Sequence, residues 1–112
     1  MLAVFAAPCI AGEADVLDVQ VSRQSNGTFR FAVTVRHADT GWEHYADRWE
    51  IVGPDGQILA TRTLAHPHVN EQPFTRALSG VAIPAGVTDV TVRAHDRVHG
   101  YGGAEKVVRV AQ

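Results

Sequence analysis

The sequence is poor in the residues that would place it in several familiar classes. It has one cysteine and one methionine in 112 residues, which argues against a disulfide scaffold and a sulfur-rich metal site. Lysine and arginine number 10 against 12 acidic residues, for a net charge of -2. Because a chain without a basic excess is poorly suited to neutralise phosphates, we expect no nucleic-acid partner.

Long apolar runs are also missing. A membrane-spanning helix needs about 20 apolar residues, and the apolar run 2–7 is much shorter. This run, followed by the first charge at Glu13, is typical of a secretory signal. We therefore predict a signal-peptide remnant over residues 1–14 and a mature domain over 15–112 with no transmembrane segment, in the periplasm or secreted. An apolar first strand is the alternative.

The single cysteine, Cys9, lies in the segment expected to be removed. A lipid-modified cysteine is the alternative, although Pro8 stands where a small residue such as Gly or Ala is expected. The mature domain then contains no thiol. It must depend on its hydrophobic core for stability, which is feasible for a domain of about 100 residues.

What the chain does contain is the alternation of apolar and polar residues typical of strands. Segments 16–22 and 29–36 alternate on either side of Asn26-Gly27, a dipeptide that favours a hairpin turn. The first strand is expected to turn three side chains toward the core: Leu17, Val19 and Val21.

Five further segments are predicted as strands: 47–52, 57–64, 74–83, 87–96 and 106–110. Trp49 is placed to fill the core, and no segment sustains an apolar period of 3.6 residues. Seven short strands with regular turns predict an all-β, antiparallel sandwich of immunoglobulin or fibronectin III type. A closed barrel is the alternative.

The six histidines flank or occupy three connections that this topology brings to one end of the sandwich. If successive strands alternate in direction, the loops after strands two, four and six emerge together. Imidazole is a common ligand of Zn(II) and Cu(II), whereas the predicted mature domain lacks the sulfur ligands preferred by Cu(I). We predict a Zn(II) or Cu(II) site drawn from these residues: His37, His44, His66, His68, His95 and His99.

Within this set, His66-Pro67-His68 is the most suggestive pair because the proline fixes the backbone between the two rings. The competing interpretation gives the histidines structural roles, with hydrogen bonds to backbone or carboxylate groups. The same end carries candidate contacts for a ligand or a partner: Trp42, Tyr45, Glu71, Asp96 and Tyr101. Aromatic rings there supply contact area at low entropic cost, or they plug the open end of the sandwich.

No catalytic residue is predicted. The chain has no Gly-x-Ser-x-Gly motif, and the predicted mature domain has no thiol nucleophile. We therefore expect a binding module and not an enzyme.

Three segments carry a resemblance to known proteins: 42–50 (WEHYADRWE), 66–74 (HPHVNEQPF) and 93–103 (RAHDRVHGYGG). In these segments the chain resembles a group of uncharacterised bacterial exported proteins. The resemblance implies a bacterial periplasmic setting and no assigned activity. Two hypotheses follow: a module that binds a metal ion, or an interaction domain that uses the same loops to bind a protein or peptide.

Overall fold

The computed structural model describes residues 12–111, so the predictions that concern Cys9 and residues 1–11 lie outside the described residues. Seven strands follow one another along the chain: β1 (Asp15–Arg23), β2 (Phe29–Arg36), β3 (Ala46–Val52), β4 (Ile58–Thr63), β5 (Phe74–Val81), β6 (Asp89–Asp96) and β7 (Lys106–Arg109). The predicted all-β class is confirmed. Within the described range, no helix has the length and apolarity needed to cross a membrane.

The strands form two separate antiparallel sheets and not a closed barrel. One sheet has the order β1-β2-β5 and the other β4-β3-β6-β7. The fourth strand therefore pairs with the third, whereas in a constant-type immunoglobulin domain it joins the sheet of the first two strands. The architecture is a three-plus-four-stranded sandwich.

The core lies between the two sheets and follows from the alternation of side chains along the strands. In β2 every second residue is buried: Phe29, Phe31, Val33 and Val35. Trp49 of β3 is fully buried among them, as predicted. The turn at Asn26-Gly27 also forms as predicted, with Gly27 at a φ of 84° that glycine adopts without strain.

The prediction for the core face of β1 is wrong at its first residue. Val16 is buried in the core, whereas Leu17 is only half-buried. The pairing of β1 with β2 shifts between Val16 and Asp18, which is the signature of a β-bulge with Leu17 as the extra residue. The bulge reverses the alternation, so Val19 and Val21 pack against the core as expected but Leu17 does not share their face.

The strand registers place the three histidine-bearing connections at one end. Arg36 at the end of β2 pairs with Asp15 at the start of β1, and Asp96 at the end of β6 pairs with Ala46 at the start of β3. Thr63, the last residue of β4, pairs with Arg48 near that same start. We call this end, with its loops 37–45, 64–73 and 97–105, the histidine pole.

The chain also enters the domain at the histidine pole. Ala14, just before β1, is buried in the core, and a side chain at Gly103 would come within 1.9 Å of the Ala14 carbonyl oxygen. The Val16 amide donates to the Ala104 carbonyl at 2.8 Å. The glycines of the β6–β7 loop therefore leave space for residues 12–14 to pack beside it.

Candidate metal centre

Three side chains at the histidine pole converge on one point. His37 directly follows β2, Asp96 is the last residue of β6, and His44 lies in the β2–β3 loop. His37 is 2% exposed and Asp96 is fully buried. Among residues 12–111, this is a group of three metal-ligating side chains, with one candidate ligand atom from each lying within 4.8 Å of the others.

The spacing of these atoms is compatible with ligands around one metal ion, although the two Asp96 distances are to different carboxylate oxygens. His37 Nε2 lies 3.2 Å from His44 Nε2 and 3.6 Å from Asp96 Oδ2. His44 Nε2 lies 3.5 Å from the other carboxylate oxygen, Asp96 Oδ1. A tetrahedral Zn(II) holds its nitrogen and oxygen ligands at about 2.0–2.2 Å, which places neighbouring ligands roughly 3.3–3.5 Å apart.

Only one of the two carboxylate oxygens of Asp96 accepts hydrogen bonds. Its Oδ1 accepts the backbone amides of Val98 at 2.8 Å and His99 at 2.6 Å. Its Oδ2 is buried without a hydrogen-bond partner and faces His37. Because an unpaired buried carboxylate oxygen is costly, this atom calls for a cation or a proton donor.

A second carboxylate orients the His37 ring. Asp39 Oδ1 lies 2.5 Å from His37 Nδ1, and both side chains are fully buried. Because a carboxylate only accepts, Nδ1 is the donor of this pair, which leaves Nε2 as the ring atom that faces Gly12 O, His44 and Asp96. A carboxylate behind the imidazole is the usual outer shell of a metal-bound histidine.

The backbone before β1 covers the cluster. Gly12 O lies 2.8 Å from His37 Nε2 and 3.3 Å from His44 Nε2. The ring of His99 packs against Gly12, where an added Cβ would lie 2.3 Å from His99 Cε1. His99 Nδ1 is also 3.4 Å from Asp96 Oδ1. A carbonyl and a third imidazole thus border the three-residue cluster.

Comparison with known proteins identifies a relative of this chain. A protein of Halomicrobium mukohataei named "Putative lipoprotein" is 42% identical over 96 residues, which cover 86% of this chain and 47% of that protein. The chain thus spans about half the length of the curated relative that it matches. That name gives no activity, ligand or partner. No family model matches the chain, and no solved structure matches it.

The pair His66 and His68 does not join the cluster. The His68 ring stacks on Phe74 with 4.0 Å between centroids, and neither of its ring nitrogens has a hydrogen-bond partner. His66 is exposed and lies beside it, with 4.6 Å between the two centroids. Burial lowers the pKa of the His68 imidazole. The described side chains place no third ligand with this pair.

His95 has a separate structural partner. Its Nδ1 lies 2.7 Å from Asp47 Oδ1, and its ring meets the edge of Tyr101 at 4.9 Å. Of the six histidines proposed as metal ligands, the structure therefore brings only two together with Asp96. His37 and His44 form the cluster, His99 borders it, and the other three lie in separate contacts.

A satisfied ionic network holds Tyr101. Its hydroxyl donates to Glu50 at 2.9 Å, and Glu50 also accepts from Arg48 and Arg93 at 2.9 Å each. Burial raises the pKa of the Glu50 carboxyl, but the three hydrogen bonds outweigh it and the net pKa is lowered. The network links Tyr101 of the β6–β7 loop to side chains of β3 and β6.

The remaining predicted contact residues differ in exposure. Trp42 is 61% exposed, whereas Tyr45 is buried beneath it in an edge-to-face contact. Glu71 is exposed and pairs with Arg76 at 3.0 Å, which lowers the pKa of its carboxyl. Asp96 belongs to the three-residue cluster with His37 and His44. Of the aromatic residues in this set, Trp42 has the largest exposed fraction.

Two contributors to the cluster are missing from the sequence prediction. Asp39 is two residues from His37, and this spacing within one loop is the signal that points to it. Its two oxygens reach both His37 and the backbone amide of His68, the latter at 2.7 Å. Gly12 contributes through its backbone carbonyl, which carries no side-chain signal, and it lies within the predicted remnant 1–14.

Proposed function

We propose that this chain is an exported cell-envelope binding module whose histidine pole holds one divalent transition-metal ion at His37, His44 and Asp96. The observation that carries the proposal is Asp96 Oδ2, a buried carboxylate oxygen without a hydrogen bond that faces His37 Nε2 at 3.6 Å. A metal ion satisfies the oxygen and the imidazole lone pairs together.

The donor set favours a metal over a purely hydrogen-bonded cluster. The carboxylate oxygens and the Gly12 carbonyl are acceptors only, so the contact of His37 Nε2 with Gly12 O at 2.8 Å requires a proton on Nε2 when no metal is bound. Without a metal, protons on the imidazoles must separate these acceptors. With a metal, a single +2 charge lies beside the buried carboxylates Asp39 and Asp96.

Zn(II) is the ion that we expect to fit best. Two imidazole nitrogens and one carboxylate oxygen are ligands that Zn(II) takes at nearly equal bond lengths. His99 and the Gly12 carbonyl lie next to the remaining coordination position. Cu(II) is the second candidate because it also accepts imidazole and oxygen ligands.

We propose binding and not catalysis as the role of this site. The serines, which would be the first candidates for a hydroxyl nucleophile, are remote from it: Ser22 and Ser79 lie toward the far ends of β1 and β5, and Ser25 lies in the β1–β2 turn. In the metal-bound form that we propose, the Nε2 atoms of His37 and His44 serve as ligands and would not be available as an acid or a base.

The proposed location rests on the relative named as a lipoprotein and on the apolar run 2–7 followed by Cys9. A lipid attached to Cys9 would hold the domain at the envelope, whereas cleavage after the run would release it. Metabolic labelling with a radioactive fatty acid separates these outcomes. Label in the wild-type chain that is lost in Cys9→Ala indicates an anchor, and absence of label in both indicates release.

The metal site is tested by calorimetric titration of the purified protein with Zn(II). We expect one equivalent to bind, and we expect His44→Ala to lose this binding because it removes one of three ligands. His66→Ala is the matched control: it removes an exposed imidazole from the same pole and should titrate like the wild type. An unchanged titration of His44→Ala, or no binding by the wild type, would contradict the proposal.

Metal binding should also release protons, since the ion replaces protons held among the ligands. Repeating the titration in buffers of different ionisation enthalpy measures this number. We expect net release near neutral pH. The same apparent enthalpy in every buffer would argue against ligands that hold protons in the metal-free protein.

A further inference from the structure

Each of the three loops of the histidine pole has a large apolar side chain that is more than half exposed. Trp42 of the β2–β3 loop is 61% exposed, Val69 of the β4–β5 loop 51%, and Val98 of the β6–β7 loop 59%. We call these residues the apolar tips. Exposed apolar residues scattered singly over a surface need no explanation, but one on each of three neighbouring loops gives this pole a shared apolar character.

The path of the chain before β1 indicates what lies next to the histidine pole. The described chain begins at Gly12 against the metal cluster, and Ala14 is fixed in the core. Cys9 precedes Gly12 by three residues, a span of at most about 11 Å. A lipid attached to Cys9 would therefore lie close to the histidine pole.

We infer that the histidine pole docks on the surface of a lipid bilayer, with the apolar tips entering its interfacial region. The inference rests on the cell-envelope location proposed above and is independent of metal binding. Trp42 suits this role because tryptophan concentrates at membrane–water interfaces. Val69 and Val98 add exposed apolar area on the other two loops of this pole.

The charges around the apolar tips favour a zwitterionic surface. Arg97 is the exposed cation next to Val98, while Glu43 lies next to Trp42 and Glu71 near Val69. Such a mixture does not form the polybasic cluster that recognises anionic lipids. Docking should therefore depend on apolar contact and change little with salt concentration.

The two tryptophans make the contact measurable. Trp49 is fully buried whereas Trp42 is exposed, so a change in emission when vesicles are added reports on Trp42. The experiment mixes the full 112-residue chain with phosphatidylcholine vesicles that carry brominated acyl chains. We expect the emission of Trp42 to shift to the blue and to be quenched, and Trp42→Phe to lose both effects.

Two controls separate docking of this pole from general adhesion. Trp42→Phe combined with Ile58→Trp moves the reporter to the start of β4, at the opposite end of the sandwich, and should show no quenching. Val69→Asp with Val98→Asp should reduce the vesicle-bound fraction several-fold. Val107→Asp, which replaces an exposed valine of β7, should leave it unchanged.

The inference is overturned if the chain sediments with vesicles while Trp42 emission stays unchanged, or if the reporter at position 58 is quenched equally. It is also overturned if the chain does not bind vesicles at all, an outcome that would leave a protein partner as the occupant of this pole. The metal proposal fails separately, through the Zn(II) titration, because quenching of Trp42 requires no metal.

Discussion

Two histidine pairs at the same pole differ in what surrounds their nitrogens. His37 and His44 bring Nε2 atoms to 3.2 Å from each other, next to an unpaired carboxylate oxygen. His66 and His68 lie side by side, but the His68 ring stacks on Phe74. Closeness in sequence and rigidity of the backbone bring rings together without converging their lone pairs. A binding site needs lone pairs that converge.

The largest expected effect comes from removing the charge of Asp96. Asp96→Asn keeps an oxygen for the amides of Val98 and His99 but replaces the unpaired oxygen with a donor. We expect Zn(II) affinity to fall by more than about 100-fold, beyond the effect of most outer-shell changes. Competition with a chromophoric chelator measures the affinity. Asp18→Asn, an exposed carboxylate of β1, is the control, and an equal loss in both variants would contradict the assignment.

A change at Asp39 should affect both histidine pairs, because its oxygens bond to His37 on one side and to the His68 amide on the other. We expect Asp39→Asn to lower Zn(II) affinity about 10–100-fold. We also expect it to lower the free energy of unfolding of the metal-free protein by about 1–3 kcal/mol. Chelator competition and urea denaturation measure the two effects. A Zn(II) affinity equal to that of the wild type would show that Asp39 does not support the metal site.

Two glycines with similar φ values, one beside the cluster and one far from it, provide a further test of the site. Gly12 and Gly27 have φ values of 95° and 84°, but an added Cβ would meet His99 only at Gly12. We expect Gly12→Ala and Gly27→Ala each to lose about 1–2 kcal/mol of stability from the left-handed backbone. In addition, Gly12→Ala should weaken Zn(II) binding a few-fold. Equal Zn(II) affinities in the two variants would show that the segment around Gly12 does not contribute to metal binding.

The smallest effect concerns His68 and pH. Burial lowers the pKa of the folded imidazole below the unfolded value of about 6.5. As pH falls through that value, the unfolded chain takes up the proton first, so the stability of the fold decreases. His68→Leu should flatten this decrease in urea denaturation between pH 7 and 5 (about the range in which histidine titrates). An unchanged slope would show that other groups cause it.

The sequence predicted the fold better than the site because the two depend on different information. The alternation through β2, the turn at Gly27 and the core position of Trp49 follow from local pattern. The approach of the three loops follows from the alternating strand directions. The bulge at Leu17 does not, because a single extra residue leaves the composition of a strand unchanged.

The composition of the cluster depends on where single atoms lie. His66-Pro67-His68 stands out in the sequence, yet packing against Phe74 turns the His68 ring away from ligation. Asp96 is one of several acids near the loops, and only the fold buries it with one oxygen unpaired. Gly12 acts through its backbone carbonyl. Every residue has a backbone carbonyl, so the sequence does not reveal this contact.

Long-range proton–nitrogen correlation spectra of the six imidazoles, recorded without metal and with one equivalent of Zn(II), test the central claim most directly. The account predicts that Nε2 of His37 and Nε2 of His44 change to metal-bound shifts, with Nδ1 of His37 still protonated toward Asp39. His66 and His68 should keep their shifts. Metal-bound shifts at His66 or His68, with His37 and His44 unchanged, would contradict the account.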